Sequence, residues 1–153
     1  MAISRVRMKF EDIEKEWAID SEIDRSDLGK AALDISSLHS KYFKILHAEK
    51  RNLYLLVEKK AELEHNLESW FLKTMTAEER LAANLPDFLD KKVLKSDVDR
   101  HIARYPDIVQ LNLKIGIQTD KIEFLKDIIK SIHNRSFIIK DAISWLMFTQ
   151  GQN

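Results

Sequence analysis

The sequence predicts an all-α fold: a long antiparallel helical hairpin with short helices between its arms and a C-terminal helix, in a subunit that associates with copies of itself. Three observations predict it. The 153 residues contain only three Gly and two Pro while 33% of them are charged, and a sheet with several turns consumes more of both breakers. Two long stretches step their apolar residues by three and four, the spacing of a helical face. One of them, from Ile108 to about Ile132, carries two apolar stripes where one is usual.

That stretch organises the rest. Ile108, Leu111, Ile115, Ile122, Leu125, Ile129 and Ile132 fall on one face, interrupted only by Gln118. Leu113, Ile117, Phe124 and Ile128 form a second stripe roughly 120° further round when each residue advances about 100°. A helix packing against one partner needs a single stripe. Two stripes need two covers. The other arm supplies one, and the second is expected from another subunit, with a third segment of the same chain as the alternative.

The remaining elements follow in chain order. Phe10, Ile13 and Trp17 have i, i+3, i+7 spacing and give a short amphipathic helix, in a unit that runs to Asp27. Its end, Asp20 to Asp27, reads as a loop with capping residues. This unit is acidic: Glu11, Asp12, Glu14, Glu16, Asp20, Glu22, Asp24 and Asp27 face only Lys15 and Arg25. A solvated face and a contact for a basic partner are both open. From about Leu33 to Phe71 one long helix is expected, with Ile35, Leu38, Tyr42 and Ile45 in one apolar set. Leu53, Leu56, Leu63, Leu67 and Trp70 form another, with Lys60 filling a gap. The two sets are offset by one residue near Leu46 to Glu49, which drifts the apolar seam around the helix. Thr76 and Glu79 form a capping box, so a short helix is expected to about Leu85, before Pro86. Residues from Asp87 to Val93 read as irregular. Ser96 to Asp99 caps another short helix that ends at Tyr105-Pro106, since the residue before proline leaves the α region. Asn134-Arg-Ser136 is expected to break or bend the organising helix, and Phe137 to Phe148 to form a last amphipathic segment.

Length allows one domain, 1–153. With no Cys, disulfides, thiolate catalysis and Cys-based zinc sites are excluded together. No run reaches the ~20 apolar residues of a membrane span, and Met1 to Met8 lacks the apolar core of a secretory signal. A soluble, cytoplasmic protein is expected. Glu62-Leu-Glu-His65 has the Glu-x-x-His spacing of di-iron bundles, but such sites need a second copy and two further glutamates. Asp97 and His101 supply two ligands, which make no site. No phosphate loop, nucleophile elbow or HExxH occurs. Neither an enzyme nor a cofactor is expected.

The net charge is zero, so any nucleic-acid signal must be local. The second helix carries one: Lys41, Lys44, Lys50, Arg51, Lys59 and Lys60 stand against Glu49 and Glu58, with Tyr42, Phe43 and Tyr54 interleaved. Single-strand binders combine cations for the phosphates with rings for the bases. A solvated Lys-rich face gives the same pattern. Lys91, Lys92, Lys95, Arg100 and Arg104 make a second basic stretch against Asp97 and Asp99.

The C-terminal segment favours the nucleic-acid reading. Asn134-Arg-Ser-Phe-Ile-Ile-Lys140-Asp-Ala-Ile-Ser-Trp145-Leu-Met-Phe148-Thr-Gln-Gly151 is similar to the signature of the UvsY recombination mediators of T4-like phages, approximately N-R-[ST]-F-x-I-K-x-A-I-x-W-x-x-F-x-x-G. Phe10 to Trp17 with Asp20, Leu38 to Tyr42, Val93 to Asp99 and Ile122 to Lys130 resemble further family blocks, so the likeness covers most of Met8 to Gly151. The resemblance implies a non-enzymatic accessory protein of phage recombination, acting in the cytoplasm of the infected bacterial host. It implies a ring-like homo-oligomer that binds single-stranded DNA and helps the phage recombinase load where a single-strand-binding protein sits. The resemblance also implies that residues 134–151 are a self-assembly segment. Expected interface residues are therefore Phe137, Ile138, Trp145, Leu146 and Phe148, meeting the stripe of Leu113, Ile117, Phe124 and Ile128.

Two departures stand out. Many members carry a basic K-x-[RK] before an aromatic pair and a Gly turn that ends the long helix. This chain has His65-Asn-Leu-Glu-Ser-Trp70-Phe71 there, with the aromatic pair but no Gly. The DNA contact is accordingly expected to centre on Lys50, Arg51, Lys59 and Lys60, with Lys41, Lys44 and His65 beside them. Members also tend to begin near Met8, so Met1 to Arg7 reads as an upstream extension (1–9 at most) or a misplaced start.

Overall fold

The computed structural model describes residues 8–151, and the reading of Met1 to Arg7 lies outside them. Within the described residues the chain is helical: α1 (Phe10–Asp20), α2 (Leu28–Phe71), α3 (Ala77–Ala82), a 3-10 turn (Lys95–Asp97), α4 (Val98–Ala103) and α5 (Pro106–Gln150). None of these helices is long and apolar enough to cross a membrane. Contacts divide the chain into two units. One joins the chain up to Lys50 with the part from Asp120 onward, and the other is Arg51–Thr119.

In the first unit α2 and α5 run antiparallel. Glu49 of α2 meets Lys121 of α5, while Ala31, Asp34 and Leu38 line one hollow with Arg135. Ile122, Leu125, Ile128, Ile132 and Ile139 are buried from α5, and Tyr42 and Leu46 from α2. The expected offset in the α2 seam falls at Leu46 and Glu49, and both are buried. Placing a carboxylate in the seam requires a partner. Lys121 Nζ supplies it at 3.2 Å and also donates to the Met8 carbonyl at 2.8 Å. α1 packs in the same unit, with Phe10 against Phe124 at 5.2 Å between ring centres and Trp17 edge-on to Tyr42 at 5.4 Å.

The second unit is closed by an apolar cluster of Leu67, Trp70, Phe71, Leu85, Val98, Ile102 and Ile108. Trp70 Nε1 finds the Pro86 carbonyl at 3.0 Å, which fixes the irregular 83–94 segment to the end of α2.

Several boundaries differ from expectation, each for a local reason. α2 begins at Leu28, earlier than Leu33, because the Asp27 carboxylate accepts the Lys30 N–H at 2.9 Å as an N-cap. The capping box forms: Thr76 Oγ1 accepts from Glu79 N at 3.1 Å and Glu79 from Thr76 N at 2.7 Å. α3 nevertheless stops at Ala82, because Asn84 turns left-handed (φ 54°) and the Leu85 N–H returns to the Arg80 carbonyl. The end of α2, where no Gly stands, closes the same way. Lys73 takes the left-handed position (φ 54°), and the Thr74 N–H reaches the Ser69 carbonyl.

The expected break at Asn134-Arg-Ser136 does not occur. α5 runs unbroken from Pro106 to Gln150, so Phe137 to Phe148 is its last part and no separate segment. Ser136 Oγ bonds back to the His133 carbonyl, which an α-helix tolerates. Buried Arg135 donates to the Asp20 carbonyl at 2.7 Å and the Glu22 carbonyl at 2.6 Å, tying α5 to the turn after α1.

Candidate functional site

The solvent face of α2 holds the expected cations in unequal states. Lys41 is neutralised at home: its Nζ lies 2.9 Å from Glu16 and 2.7 Å from Asp20, and Tyr42 Oη donates to the same Asp20 oxygen at 2.8 Å. Burial alone would lower the Lys41 pKa, but the hydrogen bonds to Asp20 and Glu16 outweigh it and raise it. At Asp20 burial works to raise the carboxyl, and Lys41, Tyr42 and Arg135 together bring it below its usual range. Burial, followed by the Asp20 bond, pushes the Tyr42 hydroxyl well up. Part of the acidic N-terminal face is thus spent inside the subunit, on Lys41.

Lys44 and Lys50 belong to the first unit and have no carboxylate partner among the described residues. In the second unit Arg51 and Lys59 are likewise unpaired, whereas Lys60 lies 3.5 Å from Glu64. His65 is exposed and lines a shallow polar hollow with Glu62, Asn66 and Glu79. In the basic stretch from Lys91 to Arg104, Arg100 pairs with Asp97 at 3.2 Å and the other cations are exposed.

The expected interface residues also divide. Leu113 and Ile117 are exposed. Phe124 is half-buried against Phe10, and Ile128 is fully buried. The second stripe is therefore not one bare surface. Its Phe124–Ile128 part is covered within the chain, where α1 contributes Phe10, as the alternative cover allowed. The end of α5 is bare: Phe137, Ile138, Leu146 and Phe148 are exposed, with Trp145 at 65% and Met147 at 70%. Ile138, Trp145 and Leu146 border an open groove of about 670 Å³ whose other wall is Ile23, Arg25 and Leu28.

Among the described residues no three His, Asp or Glu side chains gather where a metal could sit. The chemistry this surface supports is association, through unpaired cations on α2 and bare apolar side chains on α5. It defines an all-helical binding protein. The family model described as "Recombination, repair and ssDNA binding protein UvsY" matches residues 16–152, and the chain belongs to that family. The family is one of recombination, repair and single-stranded DNA binding, and an adaptor with no nucleic-acid role is set aside.

Solved structures share the fold. The bacteriophage T4 recombination mediator protein UvsY in one crystal lattice superposes with a TM-score of 0.78 at 17% identity, covering 94% of this chain and 99% of that one. A second lattice of the same T4 protein gives 0.79 at 16%, covering 92% and 99%. A third gives 0.75 at 17%, covering 90% and 98%. No curated protein sequence matches the chain.

Proposed function

We propose that the chain works as a ring-like homo-oligomer. It holds single-stranded DNA through cations on α2 and helps a phage recombinase load on strands covered by a single-strand-binding protein, in the host cytoplasm. The DNA contacts in this reading are Lys44 and Lys50 in the first unit and Arg51 and Lys59 in the second. Lys41, Lys60 and His65 contribute less, because Lys41 and Lys60 already face carboxylates and His65 shares its hollow with Glu62 and Glu79. The acidic side chains of α1 that Lys41 leaves free suit a basic protein partner, since carboxylates repel phosphates.

The observation that carries the reading is the bare apolar end of α5, from Phe137 to Phe148. Monomers seldom leave so continuous an apolar surface in water. A second copy is its natural cover, and assembly turns several weak, salt-sensitive DNA contacts into one strong attachment. Trp145→Ala combined with Phe148→Ala tests this by light scattering, circular dichroism and oligonucleotide anisotropy. Buried interface aromatics often cost about 2 kcal/mol or more on truncation. The expected result is loss of oligomeric mass with helicity kept. Affinity for oligo-dT should fall by a factor on the order of 100, although no DNA contact has been altered. Full oligomeric mass in the double variant would mean that the end of α5 is not the assembly surface.

A further inference from the structure

We propose that His39, Phe43 and His47 form a base-stacking column on α2, on which bases of a single strand rest while Lys44 and Lys50 hold the adjoining phosphates. This rests on the single-strand-binding reading above and gives that site its base-contacting part. The three residues recur every fourth position, so their rings share one helical face. His39 stacks on Phe43 with 5.5 Å between ring centres and 19° between planes, and Phe43 meets His47 edge-on at 4.4 Å. The buried side chains of α2 in this unit are Ala31, Tyr42, Leu46 and Glu49, so the column lies outside the seam. Phe43 is 45% exposed and both histidines are exposed. The rings therefore touch one another and water.

Charge selects the occupant. No Asp or Glu occurs from Ile35 to Ala48; of the carboxylates that bound this run Glu49 is buried against Lys121 and Asp34 lies five residues before His39, while Glu16 and Asp20 of α1 are answered by Lys41. Lys44 and Lys50 each stand three residues from His47, one on either side, and so flank the column. Exposed rings bordered by unpaired cations, with no Asp or Glu three or four residues away from any of them on α2, match a polyanion that carries flat apolar faces. Single-stranded DNA is that ligand. The rings are too close for a base to slide between them, since two van der Waals contacts need about 7 Å. Bases rest on the outer surface of the column instead, which suits any sequence because every base has a π-face.

The test uses the assembled full-length protein and two labelled probes, oligo-dT and an abasic strand of equal length. Phe43→Ala should lower oligo-dT affinity about fivefold to a hundredfold and leave abasic affinity and the salt slope as they were. His47→Ala should act in the same direction, and Phe43→Trp should restore binding. An equal loss on both probes overturns the column, because a stacking contact needs a base. Unchanged binding of both probes overturns it too, including the case where only recombinase stimulation falls and the column is a protein contact. A wild-type protein that binds neither probe at low salt removes the single-strand reading itself, an outcome distinct from failure of the column alone.

Discussion

The two units of this chain are held together by different physics. The first adds directional polar links to its apolar core: Glu49 with Lys121, Arg135 with two backbone carbonyls, and Asp20 between Lys41 and Tyr42. The second is closed by apolar contact around Trp70 and Phe71. The charged surface follows the same division. In the first unit Lys44 and Lys50 stand free because the local carboxylates are used inside. In the second, Lys59 and Lys60 lie among Glu58, Glu62 and Glu64, and Lys60 pairs with one of them. Along α2 Lys44 and Lys50 are thus left unanswered because Glu49 is buried on Lys121 while Glu16 and Asp20 are taken by Lys41.

The largest effect that would test this contrast is on stability. Lys121→Ala leaves the Glu49 carboxylate buried at 2% exposure without its ion-pair partner, and should cost about 3–5 kcal/mol in urea unfolding at fixed protein concentration. Leu67→Ala in the second unit should cost a similar amount, roughly 2–5 kcal/mol, by leaving a cavity. The two differ in rescue. Glu49→Met with Lys121→Met should recover most of the loss, because the penalty lies in a buried charge that has lost its ion pair. If the double variant stays as unstable as Lys121→Ala, the link is valued for its geometry and the contrast weakens.

A smaller effect separates the units by pH. The folded pKa of Asp20 lies below its unfolded value, so its stabilisation is full above that unfolded value, about 3.9. It is lost as pH falls through the lowered folded one. Lys41 and Tyr42 are raised, so their stabilisation is full below about 10 and is lost as pH rises through the folded values. Tyr42→Phe removes one bond to a charged carboxylate and should cost about 1.5 kcal/mol at neutral pH. It should also raise the pH at which acid unfolds the protein. An unchanged acid midpoint would show that Asp20 is held by Lys41 and Arg135 alone.

The smallest effect concerns the two sets of surface cations. Lys44→Ala with Lys50→Ala should lower the slope of log affinity against log salt by about 1.4, roughly 0.7 for each lost phosphate contact. Lys59→Ala with Lys60→Ala should lower it by less, since the Lys60 charge is already answered by Glu64. Equal slopes from the two pairs would break the comparison and give Lys59 and Lys60 the same share of the DNA contact as Lys44 and Lys50.

The sequence by itself determined the helices and the seam of the organising one. Ile108, Leu111, Ile122, Leu125 and Ile132 are all buried, and Gln118 is buried with them. Apolar spacing and capping chemistry act within one or two turns, so they are legible residue by residue. The signature at Asn134 to Gly151 likewise reads directly, and it carries the family. Only the tertiary structure decided which charges meet. Glu49 and Lys121 are 72 residues apart, and Arg135 lies 115 residues from Asp20, distances over which periodicity carries no information. For the same reason the sequence left α5 broken at Asn134-Arg-Ser136, where the helix runs on and Arg135 holds carbonyls at and just after the end of α1. It counted Lys41 as free and could not know that Ile128 is buried, because a side chain's charge and exposure depend on its neighbours in space, and those are chosen by the whole fold.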